Sequence, residues 1–404
     1  MTTYLEPRTG RSPMHGSTLM DRVGQALSIK HNNLVYEMRA AGRDVITLSL
    51  GEAFFDLKVP TFGDLEGAGA DGGGGTGLHH YSHSRGLPEL RAKLAGYYQD
   101  KFQVPVDPDR EIIVTAGSKV AIYMVLLATL EPGDEVIIPE PFWLSYPEQV
   151  RLCRGVPVMV PQDVSIYDLH RYVTPRTRAL IINNPNNPSG RVYSEAELAA
   201  LHDLVHDNGM LLIADEAYNE FVPPGQPFRS CGAFDPDKEH TVTVNSMSKN
   251  YGISGWRIGY VLSHPRLMDA VLKINQHLIT CAPTILCRYV AEHFDDILEH
   301  TRPQIQRVVA LRNEVAGQLD ALGVRTLPGS ASFYLFASLG TSMLDSTAFA
   351  DRLLRDSGVS VVAGLAYGES CDRYVRISVG TESPERVARG IAAVRDLIDA
   401  TSPR

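Results

Sequence analysis

The stretch Ser246-Met247-Ser248-Lys249-Asn250-Tyr251-Gly252-Ile253-Ser254-Gly255-Trp256-Arg257-Ile258-Gly259 decides how this chain of 404 residues is read. An apolar run around Val242 and Val244 precedes it and predicts a buried strand. A lysine delivered to the end of such a strand is costly unless it is paired, neutralised or used covalently. Lys249 stands in that position. Hydroxyls at Ser246 and Ser248, a guanidinium at Arg257 and glycines where the chain turns are the groups that anchor a phosphate.

Outward from Lys249 the pattern alternates. Strands are predicted at 111–115, 135–138, 156–160, 178–182, 210–214 and 241–245, with helices between them, such as 117–130 and 194–208. That alternation implies an α/β fold with a mostly parallel sheet between helices. A long helix is predicted at 285–320, with strands near 332–337 and 374–379. Towards the N-terminus, a helix beginning after Ser17 carries Leu19, Val23, Ala26 and Leu27 on one face, and a short strand at 45–50 ends at Gly51. The expected organisation is a flexible arm over 1–17, a large domain over 51–285, and a small domain built from both chain ends, 18–50 and 286–404.

Four further clusters carry chemistry. Asn183-Asn184-Pro185-Asn186-Asn187-Pro188-Ser189-Gly190 follows a strand and fixes a rigid turn at its carboxyl end, where ligands of α/β sheets bind. Asn187 can present its amide there, although Asn and Pro also simply make turns. Leu211-Leu212-Ile213-Ala214-Asp215-Glu216-Ala217-Tyr218 delivers Asp215 to the same edge, with Tyr218 three residues on. Asp215 also reads as a cap or a Walker-type acid, but the latter needs a phosphate loop. Thr115-Ala116-Gly117-Ser118-Lys119 is a strand-to-helix junction whose free N–H groups suit an anion, or serve only as an N-cap. Arg376, in Tyr374-Val375-Arg376-Ile377-Ser378, sits between apolar neighbours and calls for a carboxylate or phosphate, or for a structural ion pair. With Lys249 these clusters fit one cofactor, pyridoxal 5′-phosphate (PLP), held as an imine.

Other readings are excluded by what the chain lacks. The glycine-rich run at 66–77 has no Gly-Lys-Ser/Thr ending and no clear preceding strand, so it reads as a surface loop or a flexible lid rather than a P-loop. His79, His80 and His83 lack the spacing that would complete a metal site, and no metal is expected. Net charge is −9 with no basic block, which argues against nucleic acid. No apolar run approaches the roughly 20 residues of a membrane span. The first 20 residues are polar, with Pro7 and Pro13, and do not read as a secretory signal. Five cysteines without a CxxC pair read as reduced thiols in a cytoplasmic protein. Only about 17 polar residues precede the first helix, too few for a DNA-binding module of a PLP-binding regulator.

Together the motifs resemble those of the fold type I PLP enzymes, specifically the class I/II aminotransferases of the aspartate aminotransferase type. The resemblance runs from about Leu19 to Leu397, with the motifs in family order. It implies a seven-stranded large domain and a homodimer. It also implies transfer of an amino group from an L-α-amino acid to a 2-oxo acid through a Schiff base on Lys249. It assigns the cofactor phosphate to Arg257, Ser246, Ser248 and the 117–119 segment (Gly117, Ser118, Lys119), and ring contacts to Asn187, Asp215, Tyr218 and Trp143. Tyr81 resembles the tyrosine that reaches the neighbouring subunit's phosphate. Arg376, Gly51 and Asn187 correspond to substrate-carboxylate contacts. The family's G-E-P-D-F-D-x-P is here Gly51-Glu52-Ala53-Phe54-Phe55-Asp56-Leu57-Lys58-Val59-Pro60. Because that segment borders the substrate entrance, other PLP outcomes stay open beside transamination: β- or γ-elimination, cyclisation of the 1-aminocyclopropane-1-carboxylate synthase type, or oxidation.

Overall fold

Residues of β5 (Thr177–Asn183) alternate between two cores: Ala179 and Ile181 face one way, Leu180 and Ile182 the other. A strand buried on both faces reads as a continuous apolar run, and this is why the strand segments stood out in the sequence. The computed structural model describes residues 17–24, 27–57 and 80–403. Most of the expected arm, the glycine-rich run at 66–77 and His79 lie outside the described residues.

The other strands are β1 (Ile46–Thr47), β2 (Ile112–Thr115), β3 (Glu135–Pro139), β4 (Val156–Val160), β6 (Leu211–Asp215), β7 (Thr241–Ser246), β8 (Gly259–Leu262), β9 (Tyr334–Ser338), β10 (Val359–Ser360), β11 (Val362–Ala363) and β12 (Tyr374–Ser378). Seven of them form one sheet in the order β2-β8-β7-β6-β5-β3-β4. The run from β7 to β4 is parallel, and only β8 opposes its neighbours. The helices Ser118–Thr129 and Pro265–Leu278 pack on one face, and Glu195–Asp207 on the other. A separate core joins β9 and β12 to the helices Phe294–Ala321, Ser346–Ser357 and Pro384–Ala400. There β11, β12 and β9 form a three-stranded antiparallel sheet that carries Arg376 opposite Phe336.

The strand order brings the chemistry together. Asn183, Asp215 and Ser246 are the last residues of the neighbouring strands β5, β6 and β7. They share the carboxyl edge of the sheet, where such sheets bind ligands. Antiparallel β8 starts at Gly259, which pairs with both Ser246 and Thr115. A Cβ at Gly259 would lie 2.4 Å from the Ser118 nitrogen. Only glycine lets the lysine loop close onto the start of the Ser118–Thr129 helix.

Three elements differ from the sequence reading. The N-terminal helix is a single 3-10 turn, Met20–Arg22, that stops before Val23 and Gly24, and a second helix is described over Leu27–Ala40. The strand expected over 45–50 pairs only at Ile46–Thr47, against β10. The helix expected over 285–320 is two helices, Thr284–Glu292 and Phe294–Ala321, divided at His293. All five cysteines are free thiols.

Candidate active site

Ser246 caps the four-residue helix Met247–Asn250, its hydroxyl accepting from the Ser248 N–H at 3.1 Å. That turn lifts Lys249 off the strand and over the sheet edge. Its Nζ donates to the Gly51 carbonyl, which belongs to the segment leading in from β1. Burial pushes the Lys249 amine down to about 8. Glu52 and Asp215 oppose that shift, while Arg376 and Arg257 reinforce it. A lysine with this depressed proton affinity is part-time neutral near physiological pH, which is what a nucleophile or base requires.

On one side of Lys249 is an anion cradle. Arg257 has left-handed backbone geometry (φ 57°) and donates from Nη1 to Ser248 Oγ at 3.3 Å and to the Ser254 carbonyl at 2.7 Å. Its guanidinium lies against Gly117, where a Cβ would come within 2.5 Å of Nη2. Gly117, with φ +91°, therefore admits both the turn and the arginine. Ser118 opens the following helix. Among the described residues no carboxylate pairs with Arg257, and its own contacts are neutral. Arginine, serine hydroxyls and a helix start are together suited to a phosphate.

On the other side is Asp215. Burial pushes its carboxyl up to about 6, against the pull of a Tyr146 hydroxyl at 2.7 Å and the Ala217 N–H at 3.1 Å. The Asn183 side chain donates to the Asp215 carbonyl at 2.8 Å, and its Oδ1 accepts from the Asn187 N–H at 2.6 Å. The Asn-Pro turn is thus fastened to the aspartate strand. From that turn Asn187 Nδ2 reaches Tyr218 Oη at 3.4 Å, and Tyr218 Oη meets Tyr334 Oη at 3.2 Å. Buried Arg312 locks the same turn to β9, donating to the Ser189 and Tyr334 carbonyls at 3.1 and 3.0 Å.

Arg376 closes the site. It is 4% exposed, with its guanidinium carbon 4.5 Å from the Tyr334 ring centre. It donates to Asn187 Oδ1 at 3.2 Å and to the Ser49 carbonyl at 2.7 Å, and its Nε has no partner. No carboxylate pairs with it among the described residues, so the structural ion pair is not what holds it. A buried cation with neutral partners and an orphan donor is set for an incoming anion.

Lys249, Arg257, Asp215, Asn187, Tyr218, Tyr334 and Arg376 line one cavity of about 570 Å³, together with Gly51, Glu52, Ser118, Lys119, Trp143 and Leu144. The donor set fits PLP. The cradle with Arg257 and the serines would hold the phosphate, buried Asp215 would face the ring nitrogen, and Lys249 lies between them. Trp143 lines the cavity beside Lys119, whose Nζ is 5.0 Å from its ring centre.

The model of the family described as aminotransferase class I and II matches residues 43–394. The chain is 32% identical to an aspartate aminotransferase of Pyrococcus abyssi, covering 86% of this chain and 90% of that protein. It is 31% identical to an aromatic-amino-acid aminotransferase of Thermococcus litoralis, with the same coverage of both chains. The solved structure of an aspartate aminotransferase from Thermus thermophilus with maleate superimposes with a TM-score of 0.85 at 31% identity, covering 95% of this chain and all of that one. The chain belongs to the class I and II aminotransferases. It is a PLP-dependent transferase that acts on amino acids and oxo acids.

Of the residues expected at the aminotransferase site, all but two line this cavity: Gly117 backs it behind Arg257, and Tyr81 lies elsewhere. Tyr81 is 84% exposed and does not line its own chain's cavity. Sequence reasoning missed Glu52, Tyr146, Tyr334 and Arg312. Tyr146 follows Trp143 by three residues, at the start of the helix Tyr146–Leu152, and that spacing was the available signal.

Tyr146→Phe removes the one side-chain donor on Asp215, so the carboxyl rises further. An unfolded aspartate titrates near 3.8 and folded Asp215 near 6. Between those values the folded state holds the proton, so the contribution of Asp215 to the stability of the cofactor-free protein falls as pH rises across that window. The variant is expected to extend this fall upward in pH relative to wild type, because the hydroxyl that holds the carboxyl down is lost. Thermal melts from pH 4 to 8 check it.

Proposed function

We propose that Lys249 carries the cofactor and moves the proton at the substrate Cα, while Arg376 holds the substrate α-carboxylate. The observation that carries this is the convergence of Lys249, Asp215, Arg257 and Arg376 on one cavity. PLP, when bound, supplies an electron-withdrawing ring that stabilises negative charge at Cα. Asp215, kept anionic by a cationic ring nitrogen, would hold that nitrogen's proton. Asn187 and Tyr218 would orient the ring oxygen, and Trp143 would cover one ring face. Arg257, Ser246, Ser248, Gly117, Ser118 and Lys119 would fix the phosphate end. With the carboxylate on Arg376 and near the Gly51–Asn187 side of the cavity, the donor's Cα faces Lys249. Its amine, pushed down by burial, takes the Cα proton as the neutral form.

The same reading covers the organisation of the chain. Residues 51–285 form the PLP-binding domain and 18–50 with 286–404 the small domain, a division supported by the separate core around β9 and β12. The functional unit is a homodimer in which Tyr81 reaches the neighbouring site. Its exposure supports this, with exposed Ile285 next to Thr284, which bonds His80 and Ser82 on either side of Tyr81. The enzyme works in the cytoplasm. Free cysteines agree with that setting, and among the described residues no helix is long and apolar enough to cross a membrane.

The relatives' names span acidic and aromatic donors, so the test is a donor panel without oxo acid. Aspartate, glutamate, phenylalanine and tyrosine are each mixed with the loaded enzyme. At least one is expected to convert the cofactor to its amine form and to release the matching oxo acid. Ammonia or an alkene product from every reactive donor would contradict transamination.

A further inference from the structure

Four charged side chains share the cavity with Lys249 from four different elements: Arg376 from β12, Arg257 from the loop before β8, Asp215 from β6 and Glu52 from the entrance segment. On the reading above, three of them have partners outside the protein. Arg257 takes the phosphate, Asp215 the ring nitrogen and Arg376 the carboxylate. Glu52 has none assigned. It lines the same cavity, and its neighbour Gly51 offers the carbonyl that accepts from Lys249 Nζ.

Glu52 is also held from two directions. Ser254 Oγ donates to Glu52 Oε1, and the Ser254 carbonyl accepts from Arg257. Behind it, a Cβ on Gly380 would lie 2.2 Å from the Glu52 carbonyl, and the Phe54 N–H donates to the Gly380 carbonyl at 3.1 Å. Gly380 follows β12, the strand that bears Arg376. The Glu52 carboxylate is therefore tied to Arg257 through Ser254, while its backbone packs against the segment that follows the strand of Arg376. The other titratable groups lining this cavity are Tyr218, Tyr334 and Lys119.

We propose that Glu52 is a positioning residue of the reaction, the counter-charge that holds the Lys249 ammonium once it has taken the Cα proton, and that through Ser254 it ties the substrate entrance to Arg257. The proposal rests on the role given to Lys249. Among the charged neighbours, Glu52 has the largest influence on that amine and favours its protonated form. Glu52, with Asp215, thereby offsets the two arginines, which lower the proton affinity of the lysine.

The test reads Lys249 directly in the cofactor-free protein. Trace acylation at a series of pH values, with peptide mass analysis, gives the midpoint at which Lys249 becomes reactive. The expected wild-type midpoint is about 8. Glu52→Gln still accepts from Ser254 but loses the charge, and its midpoint is expected to fall by about one pH unit. Ser254→Ala keeps the charge, and is expected to weaken PLP binding several-fold with little change in the midpoint. A Glu52→Gln midpoint within about 0.3 unit of wild type overturns the proposal. Should circular dichroism show that variant unfolded, Glu52→Asp decides, with an intermediate midpoint expected and an unchanged one contradictory. Borohydride fixation of PLP on wild type separates the two readings. A pyridoxyl label on another lysine refutes the role of Lys249, whereas a label on Lys249 with no Glu52 effect refutes only the role of Glu52.

Discussion

Lys249→Ala is expected to lose roughly 10³-fold or more in turnover while keeping its fold. The size follows from the geometry. Among the described lysines, only Lys249 and Lys119 line the cavity. Lys119 is against Trp143 at the phosphate end, away from the carbonyl of Gly51 on which Lys249 rests. No other amine is thus set beside the substrate Cα. Stability is expected to rise slightly where Lys249 would be charged, since burial of that ammonium is unfavourable. Steady-state rates with the best donor of the panel, together with a thermal melt, check both parts. A variant with near-normal turnover would remove Lys249 from the chemistry.

Arg376→Ala is expected to lower kcat/KM for the amino donor by about 10²- to 10³-fold, chiefly through KM. Two charge-assisted hydrogen bonds to a carboxylate, in a site shielded by Tyr334 and Tyr367, account for that magnitude. PLP affinity should change much less, because Arg376 bonds Asn187 and Ser49, whereas the cradle is built from Arg257, Ser248 and Gly117. Arg376→Lys should recover only part of the loss, since an ammonium cannot reproduce the planar fork that the orphan Nε completes. Donor titrations beside PLP titrations separate the two effects. An equal loss in both would make Arg376 a part of the cofactor site instead.

Lys249, Asp215 and Asn187 were legible in the sequence because each sits where an apolar strand stops. Strand ends are local features, and the parallel order then brings neighbouring ends together without further information. Tyr146 and Tyr334 were not legible. They matter through contacts with Asp215 and Tyr218 that join positions 69 and 116 residues apart. Arg312 reads as one more cation on a long helix until its guanidinium is found between Ser189 and Tyr334. Strand β8 escaped notice because its four residues follow a glycine-rich loop and run against the sheet. The break at His293 carries no proline or glycine, whereas Pro303 lies inside the Phe294–Ala321 helix without ending it. Tertiary packing overrode the local signal at both places.

PLP is expected to be borne by Lys249. Sodium borohydride reduction of the loaded enzyme, followed by digestion and mass mapping, measures this directly. The expected result is one pyridoxyl-modified peptide containing Ser248-Lys249-Asn250, lost when a reactive amino donor is added before the reductant. A label on Lys119 or elsewhere, or no label in a protein that retains its visible band, would contradict it.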